Sequence, residues 1–151
     1  MFMAEGEISR VISIECVAAG RYIPLPVILS DVPAGFPSPA DDYIEKNIDL
    51  NEWMIDNEIA TYIVRVSGNS MNDEIHSGDR LVVDRSLEPR NRDVVIAILN
   101  GEMTVKRFVV RERRIFLVAE NSHYSELEIT GESELIIWGV VKHCIHTFRN
   151  G

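Results

Sequence analysis

Asn100-Gly101 lies between two apolar runs, "DVVIAIL" and "EMTVKRFVV". Both residues tolerate positive φ, which a two-residue type I′ turn demands at its two central positions. The sequence therefore predicts a β-hairpin here, and a hairpin commits its flanks to antiparallel pairing. Neighbouring runs extend that commitment. "YIVRV" alternates, "RLVVDRS" is a β-branched run after the turn pair Gly78-Asp79, and "RRIFLVAE" and "ELIIWGVVKHCIHTF" supply further strands, the last long enough to bend at Gly139. Strands at this density from Thr61 onward, without intervening helices, predict a mostly β fold with a curled antiparallel or mixed sheet.

The texture upstream is different. Residues 1–34 mix short apolar runs with Gly and Pro, and in "RYIPLPVILSDVPAG" the prolines 24, 26 and 33 exclude a regular helix and remove amide donors. That stretch is expected as an extended arm and not as the centre of a sheet. In "GFPSPADDY", Pro37 and Pro39 hold the residues before them extended, and "IDLNEWMIDNEI" fits a short helix or an irregular clamp. The expected organisation is an N-terminal arm over 1–34, a second arm or linker over 35–60 and a β-rich domain over 61–151, with no internal repeat.

At 151 residues the chain is long enough for one packed core. A formal charge of -9 and a pI near 4.9 oppose strong direct binding to nucleic acid, which needs clustered Lys and Arg to replace phosphate counterions. Cys16 and Cys144 are the two cysteines, and no charged stretch followed by an apolar one opens the chain, which points to the cytoplasm with reduced thiols. No apolar run reaches the roughly 18 to 20 residues that cross a bilayer, so no membrane partner is expected. His143, Cys144 and His146 superficially suggest a metal set, but strand alternation sends the two histidines to opposite faces, and no metal or cofactor is expected. "RERR" at 111–114 reads as a solvated turn, with an acidic partner face as the alternative. Asp79 reads as a tight-turn residue, and Trp53 and Trp138 as core or arm anchors.

Two residues invite a mechanistic reading. In "VSGNSM", Gly68 lets the backbone turn sharply at the end of a strand and display the hydroxyl of Ser70. Lys106, in "TVKRF", lies on the return strand of the predicted hairpin and gives a candidate Ser-Lys dyad. An ordinary lysine, near 10.4, is about 99.9% protonated at pH 7, so it acts as a general base only where burial disfavours the ammonium form. Val105 and Phe108 offer apolar company. The backbone amides of Ser70 and Met71 are the candidate oxyanion donors. On the residues alone the bland readings stay open: serine in a Gly-Asn turn is ordinarily a turn residue, and lysine beside valine is ordinarily an exposed rung of an edge strand.

"VSGNSMNDEIHSGDRLVVDRS", "DVVIAILNGEMTVKRF", "AENSHYSELEI" and "WGVVKHCIHTFR" together resemble the catalytic domain of the LexA/UmuD self-cleaving serine peptidases, and "AGFPSPADDYIEKNIDLNEWMI" resembles the UmuD branch. The likeness runs from about Pro26 to Arg149. It implies a LexA/UmuD-like curled β-sheet catalytic domain with an extended N-terminal arm, Ser70 as nucleophile, Lys106 as general base and Ala34-Gly35 as the bond cut. Ala34 stands where the UmuD branch often has Cys, and the small size is kept. The resemblance further implies a role in the SOS response. On that likeness, a RecA filament on single-stranded DNA is expected to stimulate the cut, and residues 35–151 are expected to form a homodimer that serves as accessory subunit of a UmuC-type Y-family translesion polymerase. A sliding clamp is a further candidate partner, through "LPVIL". The rival readings are a LexA-like or phage-repressor-like transcription regulator, whose helix-turn-helix precedes the cut, a non-cleaving binding module of the same fold, and a signal-peptidase relative, which needs a membrane anchor.

Overall fold

The structure is a computed structural model that describes residues 9–17, 20–28, 44–68, 71, 74–120 and 126–150. It bears out the mostly β expectation. Among the described residues are ten strands and one short helix: β1 (Arg10–Cys16), β2 (Pro24–Ile28), β3 (Ile44–Asp49), α1 (Leu50–Met54), β4 (Thr61–Ser67), β5 (Arg80–Asp84), β6 (Val94–Leu99), β7 (Glu102–Arg111), β8 (Arg114–Val118), β9 (Leu127–Ile129) and β10 (Leu135–Ile145). No helix among them is long and apolar enough to cross a membrane.

Backbone contacts divide the chain into two units, residues 18–56 and residues 1–17 with 57–151. The larger unit holds an eight-stranded antiparallel sheet in the order β1-β4-β5-β10-β6-β7-β8-β9. β1 also meets β7 at Arg10↔Thr104, so the six strands from β1 to β7 close on themselves while β8 and β9 continue past the closure. The sequence expectation for 1–34 was an extended arm. β1 departs from it by occupying a place in the main sheet, opposite β4.

The predicted hairpin is present. Asn100 and Gly101 take φ of 49° and 84°, and β6 and β7 pair in register from Val94↔Arg107 to Leu99↔Glu102. A second tight turn joins β7 to β8 at Glu112 and Arg113, with φ of 49° and 63°. β10 is the longest strand and pairs with β5 on one side and β6 on the other. Its register shifts between Ile137 and Gly139 and again between Val141 and His143. Such irregularities bend a strand and increase its twist, which is what a closing sheet needs. Gly139 sits at the first of them, where a Cβ would lie 2.5 Å from Val83 Cγ1.

Alternation along the strands produces two apolar clusters. One gathers Val64 and Val66 of β4, Leu81 and Val83 of β5, Ile96, Val105, Met71 and Ile75. The other gathers Val95, Ala97, Phe108, Leu117 and Val140, with Ile115 and Ile129 of β8 and β9 packed against it. β8 and β9 thus cover a face that β6 and β7 would otherwise leave wet.

In the smaller unit β2 and β3 form a two-stranded antiparallel ladder from Pro24↔Asp49 to Ile28↔Ile44. A two-stranded ladder has only edges, which is where prolines are tolerated. Asp49 caps α1, accepting from the amides of Asn51 at 2.9 Å and Glu52 at 3.2 Å, and it also accepts from the Ile23 amide at 2.6 Å. These donors, the Ile23 amide foremost, hold its carboxyl below the usual range although burial opposes them.

Candidate active site

β4 ends at Ser67, and Gly68 follows with φ 95°, a left-handed conformation that explains a glycine at that position. Ser70 itself lies outside the described residues, as do Ala34 and Gly35. The frame on either side of Ser70 is described. The Gly78 N–H donates to the Val66 carbonyl at 2.8 Å, and the Val66 N–H donates to the Asp79 carbonyl at 3.1 Å, so the segment between is closed at its base. Glu74 and Ile75 donate their amides to the Met71 carbonyl at 3.1 and 2.6 Å. The side chains of Met71 and Ile75 are buried in the same cluster as Val105 of β7.

Lys106 is the next residue on β7, opposite Val95 of β6. By alternation it shares its face with Phe108 and Thr104, away from Val105. It is partly buried, and burial lowers its pKa below the ordinary 10.5. Thr104 Oγ1 donates to the Ser9 carbonyl at 2.9 Å, and Arg10 is the register partner of both Thr104 on β7 and Ser67 on β4. One strand therefore separates the end of β4 from the first residues of β7, two positions before Lys106.

Two side-chain clusters fix this region, and neither is legible in the sequence. Arg107 bridges Glu74 and Glu120 and donates to the Arg92 carbonyl at 2.6 Å, which ties the turn after Ser70 to the strand of Lys106. Asp79 is 3% exposed, and its carboxylate accepts from the His76 amide at 2.8 Å, from Cys144 Sγ at 3.3 Å and from His146 Nδ1 at 2.5 Å. Burial works to raise the Asp79 pKa, but the His146, His76 and Cys144 donors outweigh it and hold the carboxyl below its usual range. Burial and Asp79 together push the Cys144 thiol up to about 12, so this cysteine is no nucleophile at neutral pH. The Gly78-Asp79 pair read from the sequence as a tight turn is one, with Gly78 at φ 92°. The fold uses its carboxylate as a clasp to the end of β10.

The fold also places the other residues singled out in the sequence. His146 goes to Asp79 while His143 lines a groove of about 470 Å³ between the 87–93 turn and β10, and among the described residues no group of His, Cys, Asp or Glu is arranged to hold a metal. In "RERR", Arg111 and Arg114 pair with Glu126 and Glu128 and stand over the ring of Phe116. Trp138 packs against the first core cluster beneath Arg85, whereas Trp53 is exposed.

Residues 26–142 match the family described as Peptidase S24-like. The chain belongs to that family. It is 42% identical over 125 residues to Protein ImpA of Salmonella typhimurium, an alignment covering 82% of this chain and 85% of that protein. It is 41% identical over 133 residues to Protein MucA of Escherichia coli, covering 87% and 90%, and 44% identical over 126 residues to Protein SamA of Salmonella typhimurium, covering 83% and 87%. Membership of the S24-like family supports a serine-peptidase type of activity directed at the chain itself.

Proposed function

We propose that this S24-like chain cuts its own Ala34-Gly35 bond with Ser70 as nucleophile and Lys106 as general base. The observation that carries the proposal is a lysine held partly buried on β7, with its pKa lowered, two residues from Thr104, which one strand separates from Ser67 at the end of β4. Neutral Lys106 takes the hydroxyl proton of Ser70 as Oγ attacks the Ala34 carbonyl carbon. The backbone amides of Ser70 and Met71 are the candidate donors to the resulting oxyanion. As the tetrahedral species collapses, the C–N bond breaks and the Gly35 nitrogen leaves with the proton from Lys106. Water, deprotonated by Lys106, then attacks the Ala34–Ser70 ester and returns the proton to the serine. The products are residues 1–34 and 35–151.

The wider role follows the family likeness. A RecA filament on single-stranded DNA shifts the arm toward its cleavable conformation without lending a catalytic group. The processed chain, as a homodimer in the cytoplasm, joins a Y-family polymerase in SOS mutagenesis. A sliding clamp is a further partner of the arm.

The test is an intact-mass time course of purified chain from pH 7 to about 10, alongside Ser70→Ala and Lys106→Ala. Alkali supplies neutral lysine without a filament, so the wild type should split into the two named pieces while both variants stay whole. A wild type that remains intact at every pH, and also with RecA and single-stranded DNA, sinks the proposal.

A further inference from the structure

β1 belongs to the piece that a cut after residue 34 detaches, yet it is a strand of the main sheet. Its six register pairs run from Arg10↔Ser67 to Cys16↔Tyr62 along β4, and Arg10 also meets Thr104 of β7. On its far side β4 is already paired to β5, so β1 occupies the one remaining edge of β4 and completes the closure of six strands.

The side chains of β1 contribute little to that seat. Val11 packs on the first core cluster, but Ile12 is 51% exposed and Ile14 41%, and Arg10, Glu15 and Cys16 face solvent. β5, the other neighbour of β4, is buried along four of its five residues. What holds β1 is therefore chiefly its backbone ladder, and a backbone ladder accepts many sequences. The register irregularity between Val11 and Ser13 sets Val11 opposite Val66 and Ile14 opposite Val64, so the seat takes an extended peptide with one apolar residue at the Val11 position.

We infer that the gap between β4 and the Thr104 end of β7 is a binding site for an extended antiparallel peptide, that residues 10–16 are its resident ligand, and that another strand of the same pattern takes it once they leave. The natural occasion for leaving rests on the cut proposed above; the site itself does not. While joined, β1 is held at the effective concentration that its tether, residues 17–60, sets. Once cut, the piece is held only by the non-covalent pairing of β1 with β4 and of β2 with β3, and it departs on dilution. The amides and carbonyls of Tyr62–Ser67 that it covered then stand open as a sheet edge, a ready template for a partner strand.

A fluorescent peptide of residues 9–17, with Cys16→Ser, is titrated into the full wild-type chain and into the full chain carrying Ile14→Pro, which disrupts the native strand. The variant should bind at least tenfold more tightly than the wild type, and the peptide should slow hydrogen exchange at the β4 amides. Equal affinity for both chains places the peptide elsewhere and overturns the inference, as does no binding to a variant whose β5, β6 and β10 amides remain protected. Should the variant not fold, a site-specific protease sequence is placed across residues 33–36 of the full chain and cut. The 1–34 piece should co-elute with the remainder at tens of micromolar and be displaced by excess peptide; separation at every concentration, or co-elution that excess peptide does not disturb, overturns the inference. Neither arm needs the chain to cut itself, so a chain without self-cleavage removes the proposed function and leaves this result standing.

Discussion

Lys106 sits where an ammonium group is disfavoured, and that has two measurable sides. Above its lowered folded pKa the native protein has released a proton that the unfolded chain keeps until about 10.5, so the penalty for burying the charge fades as pH climbs through that window. Lys106→Met should be more stable than wild type at pH 7, and the difference should shrink toward pH 10 in urea titrations. Lys106→Arg keeps a cation that never deprotonates and should show no self-cleavage at any pH by intact mass. Asp79 behaves in the opposite sense. Its carboxyl is held below the usual range, so its contribution is present near neutrality and is lost as pH falls through the lowered folded pKa. Asp79→Asn should cost about 1–3 kcal/mol at pH 7, because the donors of His146 and Cys144 lose their charged acceptor, and the variant should lose less further stability on acidification to pH 3 than the wild type does.

At the scale of elements, turn chemistry separates what was legible from what was not. Asn100-Gly101 announces positive φ, and the hairpin was readable from it. Glu112 and Arg113 adopt the same conformation with residues that do not favour it, so the β7–β8 turn left no signal beyond its charge. Arg113→Gly should remove that strain and raise the urea midpoint, a gain of about 1 kcal/mol. Gly139 was read as a bend, and its neighbour explains why: a methyl group there meets a valine that is itself fully buried and has nowhere to move. Gly139→Ala should cost about 1–3 kcal/mol by the same titration. β1 was missed because its side chains are mostly exposed and carry no clean alternation, while its partner strand lies far along the chain. The Asp79 clasp was missed for a similar reason, its partners lying 65 and 67 positions away, where no local pattern can announce them.

Across the whole molecule, stability should be unevenly spread. β10 is paired on both sides and β5 and β6 flank it, whereas the smaller unit is a two-stranded ladder with a five-residue helix. Isolated two-stranded ladders are marginal in water. Native-state hydrogen exchange should find β5, β6 and β10 amides slowest and those of β2 and β3 faster by orders of magnitude; comparable rates would contradict the two-unit division. The place of β10 also bears on how the protein is made. The last of the ten described strands is the one that joins β5 to β6, and its end carries His146 to the clasp at Asp79. A chain translated only as far as β9 has β4 and β5 but not the partner that secures them, so the frame around Ser70 and Lys106 is incomplete until β10 has emerged. Chains truncated before β10 should then show no self-cleavage by intact mass.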